Sequence, residues 1–108
     1  MGYFQTYNDK GGNARFRLKA GNHQVILASE GYSSASARDN GIASVQKNSG
    51  DENRYEVMQS KKGEPYFVLK AGNGEVIGKS EMYSSLSACK KGMRSVMKNG
   101  TSTIVKAE

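Results

Sequence analysis

Four basic residues in the second half of the chain have the spacing of one helical face. Drawn as an α-helix, they fall within an arc of about 100°; they are Lys90, Lys91, Arg94 and Lys98. A row of cations can lie along a phosphate backbone, where each charge releases bound counterions. The row predicts a polyanion site with nucleic acid as one candidate partner, and the alternative interpretation is a solvated helix face.

A second candidate site consists of residues that occur at the same place in both halves of the chain. Glu30 and Tyr32 follow one predicted strand, and Glu81 and Tyr83 follow its counterpart. The two pairs could meet where the halves join and form a small-ligand or enzymatic site. Alternatively, each glutamate accepts hydrogen bonds from the free N–H groups of the next helix, where the helix dipole favours negative charge.

The aromatic residues could form a platform on which single-stranded bases stack. They are Tyr3, Phe4, Tyr7, Phe16, Tyr55, Tyr66 and Phe67. Alternation with period two around residues 16–19, repeated at 67–70, predicts instead that Phe16 and Phe67 face the core. The positions of Tyr7, Tyr55 and Tyr66 stay open.

His23 and Cys89 are each the single residue of their type. His23 aligns with the turn glycine Gly74, and histidine is among the residues that tolerate a left-handed backbone, so we predict a turn residue. Cys89 lies on the apolar arc of its helix, whereas a reactive thiolate needs exposure and an electropositive setting, so we predict a buried thiol.

The chain carries no motif that recommends catalysis. It has no Cys/His cluster with metal-ligand spacing, and no Walker, Gly-x-Ser-x-Gly or Gly-x-Gly-x-x-Gly motif. We therefore expect no cofactor, no metal and no enzymatic activity. The leading hypothesis is a non-catalytic binding or interaction module, and a third alternative is a protein partner held at an exposed sheet edge.

Composition indicates one soluble domain. The chain has 108 residues, 36% hydrophobic and 24% charged, with a formal net charge of +6. No apolar run approaches the roughly 20 residues of a membrane span, and residues 1–5 lack the features of a secretory signal. We expect a cytoplasmic protein, for which a positive charge permits weak binding to polyanions.

The sequence contains an internal repeat with a period of 51 residues. Residues 15–49 and 66–100 are identical at 20 of 35 positions. We divide the single domain, residues 1–108, into repeat 1 (1–49), a polar linker (50–53) and repeat 2 (54–108). Copies of this size are marginal alone, so we expect them to share one core.

Each copy reads as three strands and a helix followed by a further strand or strand-like segment, a β-β-β-α-β unit. Asn73-Gly74 predicts a two-residue type I′ hairpin, and one serine of Ser33-Ser34, or of Ser84-Ser85, is predicted to cap the following helix. Gly41 and Gly92 fall on the buried arcs of the helices, which predicts close approach of each helix backbone to the sheet.

These residues resemble a known family. The pattern Phe-x-Leu-Lys-Ala-Gly-Asn-Gly-x-Val-Ile, then Ser-Glu-x-Tyr-Ser-Ser, then Gly-x-x-Ser-Val-x-Lys-Asn is similar to that of the small bacterial YegP-like proteins. The resemblance covers nearly the whole chain and departs at His23, where the Asn-Gly turn is broken. The family brings no established activity.

The resemblance implies an α+β fold in which two tandem repeats form a single antiparallel sheet. Two helices pack on it in a pseudo-twofold arrangement, and the C-terminal strands are exchanged between the repeats. Residues 103–105 would then pair with repeat 1. We expect a monomer, because the duplication supplies the partner that a single-copy relative finds by dimerising.

Overall fold

The computed structural model describes residues 2–108; Met1, the first residue of predicted repeat 1, lies outside the described residues. Within that range one sheet contains seven strands in the order β4-β5-β6-β3-β2-β1-β7. The elements along the chain are β1 (Tyr3–Asn8), β2 (Ala14–Lys19), β3 (Val25–Ala28), α1 (Ala35–Asn48), a 3₁₀ helix (Glu52–Arg54), β4 (Tyr55–Gln59), β5 (Pro65–Lys70), β6 (Val76–Lys79), α2 (Leu86–Asn99) and β7 (Val105–Ala107).

The predicted fold is confirmed as one sheet built from both repeats with two helices, but the sheet is mixed. Strands β1 to β6 are antiparallel to their neighbours, whereas β7 runs parallel to β1 with Val105 opposite Phe4. The expectation of a purely antiparallel sheet is therefore wrong at this strand. The Gly2 N–H donates to Asn99 Oδ1 at 2.9 Å, so the end of α2 lies beside the start of β1. The segment after α2 therefore starts at the same end of the sheet as β1, and β7 runs in the same direction as β1.

As predicted, the C-terminal strand of repeat 2 pairs with repeat 1. This strand, β7, spans Val105–Ala107 and so begins two residues later than the predicted residues 103–105. The carbonyl of Ile104 accepts from the Phe4 N–H at 2.9 Å, and β7 follows. After α1 the chain forms the 3₁₀ helix and continues directly into β4. In the described part of the chain, the exchanged C-terminal strand is thus the one from repeat 2.

The repeats meet in the middle of the sheet, where β3 lies beside β6. The residues paired there, Ala28 and Lys79, occupy equivalent positions of the two repeats, so the pseudo-twofold axis passes between them. One core spans both repeats, and its buried members are Phe4, Phe16, Leu18, Ile26, Leu27, Ile42, Val45, Phe67, Leu69, Ile77, Cys89 and Val96.

Both helices pack on the same face of the sheet. Along β2, Phe16 and Leu18 point to that face and are buried, while Arg15, Arg17 and Lys19 alternate with them and point to the opposite face. We refer to this second face, which neither helix covers, as the open face. No helix within residues 2–108 has the length and apolar character needed to span a membrane.

The turn after β5 differs from the predicted type I′ hairpin. The Gly74 N–H donates to the Ala71 carbonyl at 2.9 Å, and Gly74 has φ 87°, so the turn spans four residues and ends in a left-handed residue. The register shifts next to it, between Leu69 and Lys70. This is the longer hairpin connection in which a turn is followed by a left-handed residue and a bulge.

Candidate functional site

The predicted basic row lies on the solvent side of α2. The opposite side of this helix is buried through Cys89, Gly92, Val96 and Asn99, which fixes the rotation of the helix on the sheet. All four cations of the row are exposed, namely Lys90, Lys91, Arg94 and Lys98. The ion pairs found within residues 2–108 do not involve any of them.

Three of these cations line one shallow groove. Lys91, Arg94 and Lys98 face the β2–β3 turn at residues 20–22, and the space between has a volume of about 450 Å³. We call this space the α2 groove. Lys90 instead lines a smaller hollow with Glu52, which Arg94 also reaches. Helix α2 of repeat 2 and a turn of repeat 1 therefore build the groove together.

The equivalent surface of the other repeat has a different charge. On α1 the positions of the basic row are held by Asp39, Asn40, Ala43 and Lys47. Asp39 Oδ1 accepts from Arg38 Nη2 at 3.1 Å. The turn after β5 ends in Gly74 and is followed by Glu75, where the turn after β2 has His23 and Gln24. The pseudo-twofold thus repeats the helix and the turn, but only one of the three groove cations, as Lys47.

His23 lies beside the α2 groove, directly after Asn22 of its lining. It occupies the predicted turn position with φ 68°, and its Nδ1 lies 2.9 Å from Tyr3 Oη. The sequence indicated the turn but not the proximity to the basic row, because the two belong to different repeats. The sequence signal was that His23 departs from the internal repeat, as do three of the four α2 cations, Lys90, Lys91 and Arg94.

The predicted junction site is divided between two places. Glu30 and Glu81 line a groove of about 470 Å³ at the repeat junction, with Leu27, Ala28 and Val76 among its apolar residues. Arg15 also lines this groove, but its Nε donates to Asp9 Oδ2 at 2.6 Å, and that bond helps to lower the Asp9 pKa to about 2.

Tyr32 and Tyr83 lie away from that groove, each beneath its own helix. A Cβ placed on Gly41 would be 2.5 Å from Tyr32 Oη, and one on Gly92 would be 2.1 Å from Tyr83 Oη. The helix glycines therefore make room for a tyrosine rather than for the sheet backbone. Burial is the largest cause of the raised pKa of both hydroxyls.

The helix caps are serines rather than glutamates. Ser34 Oγ accepts from the Ala37 N–H and Ser85 Oγ from the Ala88 N–H, both at 3.1 Å. Of the serines at each helix start, the second is thus the N-cap. The glutamates are left facing the repeat junction.

The remaining aromatic residues and the cysteine have structural surroundings. Phe16 and Phe67 are fully buried, and the half-buried Tyr55 donates its hydroxyl to the Ser49 carbonyl at 2.7 Å, with burial raising its pKa far above the usual value. Tyr3, Tyr7 and Tyr66 each have a cation 4.0–5.0 Å from the ring centroid. The Cys89 thiol is buried, which raises its pKa.

Two further features are the arrangement of metal-ligating side chains and the outer edge of the sheet. Within residues 2–108, no three His, Cys, Asp or Glu side chains come together as a metal site. The outer edge of the sheet at β4 exposes Val57 and Met58, which are 40% and 39% accessible. Under the alternative hypothesis of a protein partner held at a sheet edge, the partner would bind at this edge.

The chain is similar to proteins of known sequence and structure. Residues 9–56 and 60–106 each match the domain of unknown function DUF1508. The chain is 53% identical over 106 residues to the UPF0339 protein YegP of Yersinia pestis, covering 98% of this chain and 95% of that protein. A UPF0339 protein of Acinetobacter baylyi is 50% identical, with 97% and 95% covered.

Solved structures agree with the fold. The solution NMR structure of YegP from E. coli, described as a protein of unknown function, has a TM-score of 0.94 at 44% identity and covers 99% of this chain and 92% of that one. A UPF0339 protein from Shewanella oneidensis has a TM-score of 0.92 at 46% identity, with 98% and 90% covered. The chain therefore belongs to the bacterial YegP-like UPF0339 family, whose function is unknown, and contains two DUF1508 domains.

Proposed function

We propose that the chain is a non-catalytic polyanion-binding module whose ligand is the phosphate backbone of nucleic acid. The observation that carries this proposal is the convergence of Lys91, Arg94 and Lys98 on the α2 groove. The equivalent α1 positions are Asn40, Ala43 and Lys47, so α1 has one of these three charges.

The basic row accounts for most of the net charge of the molecule. Without its four cations the formal net charge would fall from +6 to +2. Lys90, Arg94 and Lys98 follow one another at intervals of four residues, which places them about 6 Å apart along the helix axis. Cations in a row on a rigid helix suit a ligand whose negative charges also form a row.

The lining of the groove supports binding rather than a chemical reaction. Besides the three cations it consists of Ala20, Gly21, Asn22, Ser95 and Asn99. None of these side chains is a carboxylate, a thiol or an imidazole, so the groove supplies charge and hydrogen bonds but no evident general base. The cytoplasm, where we place this protein, holds abundant nucleic acid.

The first test is fluorescence anisotropy with a labelled single strand and a labelled duplex across a range of salt concentrations. If three to four cations neutralise phosphates, the log–log slope is about −2 to −3 for the single strand and about −3 to −4 for the duplex. The variant Lys91→Asn/Arg94→Ala carries the residues that α1 has at these positions, so we expect it to fold normally. Its affinity falls, and its single-strand slope becomes shallower by about 1.4.

A charge-matched control separates the groove from net charge. Lys61→Gln/Lys62→Gln removes the same two charges from the exposed β4–β5 loop and leaves the α2 groove intact. We expect this variant to bind almost as well as the unchanged protein. Equal losses in both variants, or no binding at low salt, would rule out the α2 groove as the site.

A further inference from the structure

We propose that the strand held in the α2 groove is single-stranded, and that one of its bases stacks on His23, in the turn beside the groove. This inference rests on the proposed function and names the class of nucleic acid and a residue that contacts a base. It is carried by the position and conformation of His23, which are independent of the helix charges.

Four of the departures from the internal repeat lie in or beside the α2 groove. Within α2, Lys91 and Arg94 replace the Asn40 and Ala43 of α1. In the β2–β3 turn, which faces α2, His23 and Gln24 occupy the positions that Gly74 and Glu75 hold in repeat 2. Because α2 lies over the turn of the other repeat, Lys91 and Arg94 line a groove with Asn22, the residue directly before His23 and Gln24. Each helix change adds positive charge, and the turn gains a ring and has no acid.

The backbone of His23 points to a role for its side chain. It is the non-glycine residue with positive φ in the described part of the chain, and the equivalent Gly74 has φ 87°. Glycine would adopt this conformation without strain, whereas a side chain there is disfavoured. Histidine tolerates this conformation, but glycine adopts it more readily, so a side chain retained here leads to a hypothesis of function.

Tyr3 positions the imidazole. Its hydroxyl oxygen lies 2.9 Å from His23 Nδ1, and the two ring centroids are 5.7 Å apart at an interplanar angle of 65°. His23 itself is exposed. Lys106 Nζ lies 4.6 Å from the Tyr3 ring centroid, so a cation follows the turn on the open face. A strand leaving the α2 groove would thus meet an oriented ring and then another positive charge.

An exposed ring distinguishes single strands from duplexes. In a duplex the bases are paired and stacked on one another, so their faces are not free to stack on a side chain. An unpaired base can turn outward and stack on an aromatic side chain, which is how proteins commonly hold single strands. An exposed His23 ring in the turn beside the α2 groove therefore favours a single strand over a duplex.

The experiment follows the imidazole directly by NMR, because the chain has a single histidine. The probes are oligodeoxyadenylate, an abasic strand of the same length and charge, and a duplex. We expect oligodeoxyadenylate to shift the imidazole C–H resonances upfield through the ring current of a stacked base. The abasic strand, which binds through phosphate alone, leaves them nearly unchanged.

Two variants connect the spectrum to affinity. His23→Gly adopts the residue of the equivalent turn and should fold at least as well; it loses about fivefold or more in affinity for oligodeoxyadenylate, while the affinity for the abasic strand and the salt slope stay the same. Tyr3→Phe keeps a ring but not the hydroxyl that orients His23, so the loss is smaller. Gly74→His, which adds histidine to the turn without a basic row, gains nothing.

The outcomes separate this inference from the proposed function. If the oligonucleotide binds with the expected salt slope but His23→Gly binds it equally well, the stacking inference is overturned and polyanion binding stands. Equal affinity for the abasic strand, or a preference for the duplex, overturns the stacking inference too. If none of the three probes binds at low salt, the proposed function itself fails.

Discussion

A tyrosine ring packs against the buried side of each helix, at Gly41 in α1 and at Gly92 in α2. The Tyr83 ring is itself stacked on Phe67, with centroids 6.3 Å apart, so it has little freedom to move aside. A Cβ on Gly92 would lie 2.1 Å from Tyr83 Oη and 2.6 Å from Cζ. Overpacking of this kind costs about 1–3 kcal/mol, whereas alanine gains about 1 kcal/mol over glycine in a helix.

We therefore expect Gly92→Ala to lower the free energy of unfolding by about 1 kcal/mol, as measured by urea denaturation. Gly50→Ala is the control, since a Cβ there meets nothing within 4 Å. It should change stability by no more than about 0.5 kcal/mol. A Gly92→Ala protein more stable than the unchanged chain would show that the tyrosine moves away easily.

At this scale the sequence predicts burial better than contact. Alternation along residues 16–19 correctly placed Phe16 in the core, because period two states directly which side chains share a face. The helical period likewise placed Gly41 on the buried side of α1, but we explained it by close approach of the helix backbone to the sheet. The contact between Tyr32 and Gly41 depends on the direction in which the Tyr32 side chain points after β3. No sequence period encodes that direction.

The helices begin at a defined serine, and that allows a test of a single element. Ser34 Oγ and Ser85 Oγ accept from the backbone N–H three residues on, while Ser33 and Ser84 precede them. We expect Ser34→Ala and Ser85→Ala each to lower the free energy of unfolding by about 1 kcal/mol. Ser33→Ala and Ser84→Ala serve as neighbouring controls, and equal losses at both positions would contradict the assignment of the cap.

The order of elements followed from the repeat, but the direction of β7 did not. Residues 101–105 have strand composition, and composition carries no information on whether a strand pairs parallel or antiparallel. Direction is set by where α2 ends, beside Gly2 at the start of β1. The α2 groove has the same origin, since it exists only when the helix of one repeat packs over the turn of the other.

At the scale of the whole molecule, duplication allows the two halves to differ across their axis. Two identical subunits would carry two identical grooves, whereas in this chain the three cations of the α2 groove correspond to a single cation, Lys47, on α1. The core shows the same freedom. Leu27 is fully buried, and its equivalent in repeat 2 is Gly78, so the space near the axis holds one large side chain in place of two.

The exchange of these two residues tests that account. A Cβ on Gly78 would lie 2.5 Å from Leu27 Cδ2, so Gly78→Leu should overpack the core and cost about 1–3 kcal/mol. Leu27→Gly leaves a cavity and should cost about 3–6 kcal/mol. In the double variant Leu27→Gly/Gly78→Leu, the leucine can enter the vacated space from the other strand. We expect urea denaturation to show it clearly more stable than the sum of the single losses predicts, as coupled neighbours are. Additive losses would mean that the two positions do not share one space, and that the asymmetry of the core arises elsewhere.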